Sequence, residues 1–307
     1  MYELIIIGGG PAGLAASVYA ARKQLNALLI SGDIGGQVNK TLGIENYLGY
    51  QFIEAPELIE KFQIQTENYP LEQKIGETVS TVTKIEGGFE VTTEADEKFQ
   101  AKAVIYAAGK NPRKLNVPGE TEFTGRGVTY CAICDGPVFG GQRVAVVGGG
   151  NSALEAALDM LKIAEHVDLV SVTPLTGDAV LIDKLTNTED KTKLKIMTEY
   201  QAEKIEGDIL VSGMEIKNLK DDKSQKLDVT GVFIEIGLVP NSAALSGLIT
   251  LSETGEVPIN VACETELPGL YAAGDVTTVP EKQIIIAAGE GAKAALQAHR
   301  YIQRLVD

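Results

Sequence analysis

Apolar runs that break at glycine and resume as helix set the frame of this chain. Residues 5–17 read IIIGGGPAGLAAS, and residues 145–157, 140 positions later, read AVVGGGNSALEAA. Each copy predicts a short apolar strand, a glycine turn and the start of an alanine-rich helix. Two further segments echo each other. AVIYAAGKNP (103–112) and GVFIEIGLVPN (231–241) predict strands that end in Gly109 and Gly237, with Pro112 and Pro240 three residues later. A third landmark, GLYAAGDVTTVP (269–280), predicts a strand ending in Gly274-Asp275, and the apolar, glycine-containing helix IIIAAGEGAKAALQAHRYIQRL follows.

This order predicts an α/β fold with two Rossmann-like, three-layer dinucleotide-binding domains, the second inserted in the first. Residues 1–112 and 243–307 form one domain, and residues 113–242 form the other. Short connections near Pro112 and Pro240 make a double hinge, and no long Gly/Ser-rich or Pro-rich linker intervenes. The charged, turn-rich region 176–227 is read as strands and exposed loops of the inserted domain.

The glycine spacing carries specific physical demands. The first copy gives Gly8-x-Gly10-x-x-Gly13 and the second Gly148-x-Gly150-x-x-Ala153. The first glycine permits the tight turn, and the second lets the backbone approach a pyrophosphate with no side chain in the way. The third position, Gly or Ala, lets helix and strand pack closely. The helix start, at Asn151 and Ser152 in the second copy, offers free N–H groups and partial positive charge to phosphates. Asp275, at the carboxyl end of its strand, is placed to accept hydrogen bonds from ribityl or ribose hydroxyls. A turn aspartate is the plainer reading.

Composition narrows the function classes. The 307 residues are 44% apolar, which suits two globular domains rather than a disordered chain. Formal charge is 27 − 42 = −15, which repels phosphate backbones and anionic lipids. It disfavours nucleic-acid and membrane partners and suits a partner with a basic patch, although acidity also serves solubility alone. The opening MYELIIIGGGPAG has no basic leader region, and its glycines interrupt the first apolar run, so no secretory signal is expected. No run approaches the roughly 18 apolar residues of a membrane span.

Three cysteines, at 131, 134 and 263, argue against a disulfide scaffold and for a reducing, cytoplasmic setting. Cys131 and Cys134 form a Cys-x-x-Cys in GVTYCAICDGPVF, a spacing that closes a small disulfide and commonly lowers a thiol pKa. Zinc would need four ligands. Only Cys263, His166 and His299 remain as further soft donors, none paired at short spacing, so no metal is expected. Disulfide reduction delivers a proton to a leaving thiolate. With no histidine nearby, Asp135 is the acid/base candidate, and a turn aspartate before Gly136 is the alternative. His166, His299 and Cys263 are read as structural or surface residues.

Together these motifs resemble the low-molecular-weight thioredoxin reductase family, and most closely the reductase portion of alkyl hydroperoxide reductase flavoproteins. GGGPAGLAASVYAARK, GGQV, GIENYLGY, NVPGE, GVTYCAICDGPVFGGQRVAVVGGGNSALEAALD, GVFIEIGLVPN and YAAGDVTTVPEKQIIIAAGEGAKAAL carry the resemblance; the stretch 172–228 carries it least. It implies a flavin-dependent disulfide reductase with FAD in the discontinuous domain. Gly8, Gly10, Pro11, Ala12 and Gly13 would meet the pyrophosphate. Gly36, Gln37 and Asn46 match flavin-contacting segments, and Ala108 and Gly109 match the closing motif. Asp275 would hold the ribityl chain, with Gln283 and Ile284 by the flavin ring. The resemblance further implies a Cys131–Cys134 disulfide with Cys134 facing the flavin, a rotation between the two domains during turnover, and a homodimer through the FAD domain. The first strand begins at about residue 3, so the extra N-terminal redox domain of the hydroperoxide flavoproteins is not expected. Electrons would pass instead to a thioredoxin- or glutaredoxin-like small protein.

The electron donor departs from the family pattern. NADPH-dependent members carry a basic HRRxxxR segment that clamps the 2′-phosphate, whereas Ile163 to Asp183 contains no Lys or Arg. Ser171 stands where an NADH-specific enzyme places an acid for the ribose 2′-OH, and Asp178 and Asp183 are possible substitutes. NADH is favoured, because the missing clamp weighs against NADPH and the retained Gly148, Gly150 and Ala153 weigh against a donor that is not a nicotinamide. A non-nicotinamide donor such as ferredoxin or a deazaflavin is the alternative. Ser31-Gly32-Asp33 likewise lacks the usual terminal acid for the adenosine ribose, a departure the family tolerates. Two further readings, an oxygen-reducing oxidase and a non-catalytic FAD-binding redox sensor, sit poorly with the intact cysteine pair and glycine turns.

Overall fold

Five parallel strands form the backbone of the first unit in the computed structural model, which describes residues 1–40, 43–188 and 192–305. Their order is Glu72–Ile75, Ala27–Ser31, Tyr2–Ile7, Lys98–Tyr106 and Leu270–Ala272. An antiparallel hairpin, Val79–Ile85 and Gly88–Thr93, extends the sheet from the start of Lys98–Tyr106. Leu4, Ile5, Ile6, Leu28, Leu29 and Ile30 are all at 0% exposure, so both sheet faces are covered. That is why these strands read as continuous apolar runs rather than alternating ones.

On one face the helices Pro11–Arg22 and Ile284–Arg304 pack at very short range. A Cβ on Gly291 would lie 1.9 Å from the Ala12 carbonyl oxygen, so only glycine permits this approach. Alanines 16, 20, 294, 295 and 298 continue the small-residue seam and are fully buried or nearly so.

The second unit carries a five-stranded parallel sheet in the order Val128–Thr129, Gly231–Ile234, Arg143–Val147, His166–Ser171 and Leu194–Thr198. A three-stranded antiparallel sheet, Tyr200–Gly207, Val211–Asn218 and Ser224–Leu227, belongs to the same unit. The region 176–227 also contains a helix, Ala179–Thr186, which the sequence reading missed. Its apolar Leu181, Ile182 and Leu185 fall on one helical face, and Leu185 is fully buried. Flanking charge obscured that period. Part of the charged NTEDKTK run, residues 189–191, lies outside the described residues.

The chain divides into compact units 1–39, 47–111 and 239–307, and 40–46 with 112–238. The strands Lys110–Pro112 and Leu238–Pro240, which carry the chain across these boundaries, pair with each other. Both Gly109 and Gly237 adopt positive φ, +65° and +95°, where glycine is the easiest residue to place.

A charged cluster closes the first unit behind its strand ends. Lys110 Nζ pairs with Glu256, which also receives Lys282 Nζ at 3.5 Å. Burial opposes ionisation of Glu256, but Lys110, Thr254 and Lys282 outweigh it and hold the carboxyl below its usual range. Lys110 is only 8% exposed, so removing its charge strands a shielded partner. Breaking a buried pair costs about 3–5 kcal/mol, and Lys282 remains to compensate. Lys110→Met should therefore lower unfolding free energy by about 2 kcal/mol in urea titrations, with Lys110→Met/Glu256→Gln recovering part of the loss.

Candidate functional site

The first glycine turn joins strand Tyr2–Ile7 to helix Pro11–Arg22. Gly8 sits at φ +111°, and a Cβ there would lie 2.3 Å from the Ala107 carbonyl oxygen. A Cβ on Gly13 would lie 1.7 Å from the Gly8 carbonyl oxygen. At Gly10 a Cβ would meet nothing within 4 Å. Gly8 and Gly13 thus answer internal crowding, while Gly10 faces open space at a helix N-terminus. That is the cradle a pyrophosphate needs. Pro11 takes the first helical position, where its missing N–H costs nothing. Ala12 is buried against the Gly274 side of the turn, so only its backbone is available to a ligand.

Several of the other expected residues converge on this turn. A Cβ on Gly36 would lie 3.4 Å from Gly10 Cα, and Gln37 Nε2 donates to Asp275 Oδ2 at 2.8 Å. Burial raises the Asp275 carboxyl pKa, opposed by Lys282, Lys110 and the Gln37 bond. Glu290 holds the turn before it by accepting from the Gly274 N–H at 2.7 Å. Ala108 and Gly109 follow strand Lys98–Tyr106, where Asn241 bonds both of their carbonyls. Gln283 caps the helix that begins at Ile284. Asn46 is exposed in the segment 40–46, which groups with the second unit. This set fits a dinucleotide with a polyhydroxyl linker, offering an open glycine cradle and a carboxylate at a strand end.

The second glycine turn repeats the geometry. Gly148 has φ +147°, a Cβ there would lie 2.2 Å from the Glu235 carbonyl oxygen, and Gly150 faces open space. Ala153 is fully buried, whereas Asn151 and Ser152 are exposed at the helix start. Ser171 does not point to a ribose site. It is buried, and its Oγ would lie 2.4 Å from a Cβ on Gly149. Ser31 stands at the matching place in the first unit and accepts from the Gly9 N–H at 2.6 Å, whereas Ser171 Oγ accepts from the Thr173 N–H at 3.4 Å. The loop after Ser171 folds back on the turn, with Thr176 and Gly177 N–H groups donating to the Gly149 carbonyl at 2.7 and 3.1 Å. Asp178 exchanges hydrogen bonds with Asn151 at 2.7 and 3.1 Å, while Asp183 is exposed on helix Ala179–Thr186.

The cysteine pair sits at the end of strand Val128–Thr129. Cys131 and Cys134 form a disulfide across a one-turn helix, Ala132–Asp135, with Cα atoms 5.3 Å apart. Cys131 Sγ accepts from the Cys134 N–H at 3.2 Å. Both cysteines are half-buried, and Ile133 between them is 62% exposed. Asp135 is buried and accepts from the Thr129 hydroxyl, whose oxygen in turn accepts from the Cys131 N–H at 3.2 Å. A local threonine–aspartate clasp thus fixes the loop that carries both sulfurs.

Two residues at this loop escaped the sequence reading. Glu120 is buried and accepts from Leu115 N–H, Asn116 N–H and the Tyr130 hydroxyl, which anchors the chain just before Cys131. Glu235, after strand Gly231–Ile234, accepts from the Ala132 N–H at 3.3 Å. Burial pushes its carboxyl pKa up to about 7; the Ala132 N–H opposes the rise and Glu155 adds to it. Cys263 stands apart. It is buried with its thiol pKa raised to about 11, chiefly by desolvation, which suits an inert structural residue. His166 bonds the Thr192 carbonyl at 3.0 Å and Asp168 at 3.3 Å. Among the described residues no group of His, Cys, Asp or Glu could hold a metal ion, and no helix is long and apolar enough to cross a membrane.

Comparison with known proteins follows the same lines. The family model described as pyridine nucleotide-disulphide oxidoreductase matches residues 2–294. An alkyl hydroperoxide reductase component of Escherichia coli (strain K12) is 40% identical over 308 residues, covering 99% of this chain. The chain spans 58% of that relative's length. Among solved structures, thioredoxin reductase from Streptococcus pyogenes superposes with a TM-score of 0.92 at 36% identity, covering 99% of each chain. Thioredoxin reductase from Giardia duodenalis gives 0.90 at 32% identity, covering 98% of this chain and 99% of the other. The two glycine turns and the disulfide loop therefore lie in a chain that belongs to the pyridine nucleotide-disulphide oxidoreductase family.

Proposed function

We propose that this enzyme takes two electrons from NADH and delivers them, by way of Cys131 and Cys134, to a disulfide of a thioredoxin- or glutaredoxin-like protein. The observation that carries the reading is the half-exposed Cys131–Cys134 disulfide, held by the Thr129–Asp135 clasp in a chain with two open glycine cradles. Gly8, Gly10, Gly13, Gly36, Gln37 and Asp275 would hold FAD, which would supply two-electron redox chemistry between donor and disulfide. Gly10 admits the pyrophosphate and helix Pro11–Arg22 turns its N-terminal dipole toward that charge. Asp275 orients the ribityl hydroxyls by accepting from them. Thr129 steadies Asp135, which is placed on the disulfide helix to handle the proton of a leaving thiolate. The exposed Ile133 offers an apolar contact to the incoming protein, and the net charge of −15 favours a partner with a basic face. The likeness to thioredoxin reductases supports a homodimer through the FAD-binding unit, to be read from solution mass.

The donor follows from charge. Gly150 keeps the second cradle open, while the stretch Ile163 to Asp183 contains no cation to meet a 2′-phosphate. Each charge-assisted hydrogen bond forgone is worth about 1.5–3 kcal/mol. Two of them represent more than about a hundredfold in affinity. A second reading, with ferredoxin or a deazaflavin as donor, is favoured by the Ser171 orientation and by the loop bonded over Gly149, since neither offers a ribose acceptor. The test is anaerobic bleaching of the bound flavin by NADH, NADPH and reduced ferredoxin in separate cuvettes. NADH should bleach it at sub-millimolar concentration and NADPH at least about a hundredfold less effectively. Bleaching by ferredoxin with both nicotinamides inert at millimolar concentration would move the assignment to the second reading.

A further inference from the structure

Glu235 stands at the carboxyl end of a central strand, and nothing in the proposed reaction uses it. Its N–H donates to the Val147 carbonyl at 2.8 Å, which locks the backbone beside the second glycine turn. Its Oε1 accepts at 3.3 Å from the N–H of Ala132, the peptide bonded directly to Cys131. We propose that Glu235 is a positioning residue for the disulfide, whose charge, delivered beside the Cys131–Ala132 peptide, sets how readily the reduced cysteine pair forms its thiolate. This rests on the reading of Cys131–Cys134 as the redox-active pair.

The surroundings make that charge consequential. Helix Asn151–Ile163 brings Glu155, an acidic group whose charge adds to the rise of the Glu235 carboxyl pKa. No Lys or Arg forms an ion pair with Glu235 among the described residues. Its carboxyl therefore changes charge near neutrality rather than near pH 4. An ionised carboxylate on the peptide next to Cys131 and a thiolate on the cysteine pair oppose each other, so their titrations are coupled.

The balance is explicit for reduction by a dithiol. Dithiothreitol supplies two electrons, the Cys131–Cys134 bond breaks, and the two dithiothreitol sulfurs join. Its two protons end on the two cysteine sulfurs. When one sulfur stays as thiolate, that proton goes to an ionised Glu235, or to solvent when Glu235 is already protonated. Replacing the carboxyl by an amide keeps an acceptor for the Ala132 N–H but removes this charge.

The test uses the full chain, reduced with dithiothreitol, freed of reductant and alkylated with iodoacetamide between pH 5.5 and 9. Rates at residues 131 and 134 are read by peptide mass, which separates them from Cys263. The wild-type profile should bend near pH 7 as well as at the thiol pKa, and Glu235→Gln should lose the lower bend. A thiol pKa one unit lower gives tenfold more thiolate, of which reduced nucleophilicity takes back about threefold, so E235Q should react about threefold faster at pH 7.5. Glu155→Gln, on the exposed face of its helix, should shift the wild-type bend to lower pH, and keeps the test alive if E235Q does not fold. Superimposable wild-type and E235Q profiles would overturn the proposal. So would an effect seen in Glu235→Ala but not in E235Q, because Glu235 would then only hold the Ala132 amide. If dithiothreitol opens no alkylatable pair at all, the redox reading itself fails.

Discussion

Cys134→Ser should abolish reduction of the partner disulfide, by more than about a thousandfold, while anaerobic bleaching of the flavin by the donor survives. The two sulfurs form one bond across a single helical turn, with Cα atoms 5.3 Å apart, so they work as a unit. Deleting either member of such a unit costs about as much as deleting the whole, and Cys131→Ser should be equally inactive. A serine hydroxyl neither forms a disulfide nor stabilises a thiolate-like leaving group at neutral pH. The variants differ in one informative way. Whichever retains the sulfur that attacks the partner should accumulate a mixed disulfide with it, visible as a mass adduct on a non-reducing gel. Oxygen consumption with the donor should persist in both, because it needs no sulfur. Partner reduction at the wild-type rate in Cys134→Ser would remove the disulfide from the mechanism.

The contrast between what the sequence discloses and what it hides has a physical cause. Gly8 and Gly148 were legible because each takes a positive φ, and Gly13 because the carbonyl oxygen of Gly8, five residues before it, fills the space a Cβ would take. The cysteine pair was legible because a spacing of three closes a disulfide locally. Glu235 was not. FIEIG reads as part of a buried strand, and the Ala132 N–H it meets lies 103 residues away. Lys110 and Glu256 are 146 residues apart and acquire meaning only when the unit closes. Ser171 was at the expected position, but strand geometry turns its side chain back to Gly149 instead of outward. Spacing gave no placement for Asp178 and Asp183, whereas in the fold Asp178 exchanges hydrogen bonds with Asn151 and Asp183 lies exposed on its helix. Demands set within one turn of chain are written in order along it. Demands set by strand pairing depend on register and appear only in the fold.

The same distinction shows in how the two units repeat each other. Ser31 and Ser171 stand beside Gly9 and Gly149, and the carbonyl of each of these glycines receives an amide from a later loop, Gly35 in the first unit and Thr176 in the second. What differs is the strand end facing the turn. In the first unit strand Lys98–Tyr106 leads to Ala107 and strand Leu270–Ala272 to Asp275, which accepts from Gln37, whereas in the second the corresponding strands lead to Glu235 and to the disulfide loop. On the proposed function, one scaffold serves cofactor retention in the first unit and sulfur chemistry in the second.

Valine at Gly10 and valine at Gly150 should separate those two jobs. A Cβ meets nothing within 4 Å at either position, so both variants should fold with near-wild-type unfolding midpoints. Each nevertheless fills the space through which backbone N–H groups reach a pyrophosphate. Loss of two charge-assisted hydrogen bonds, at about 1.5–3 kcal/mol each, weakens binding by more than about a hundredfold. Gly10→Val should therefore purify largely colourless, with its visible flavin absorbance restored only at high added FAD. Gly150→Val should keep its flavin but require more than about a hundredfold more NADH for half-maximal bleaching. Gly13→Val is the control for crowding, because its Cβ would fall 1.7 Å from the Gly8 carbonyl oxygen, and it should fail to fold. A yellow Gly10→Val with unchanged FAD affinity would remove the first turn from the cofactor site. Unchanged NADH dependence in Gly150→Val would mean that the donor does not dock on the second turn, which is the behaviour expected of a ferredoxin-driven enzyme.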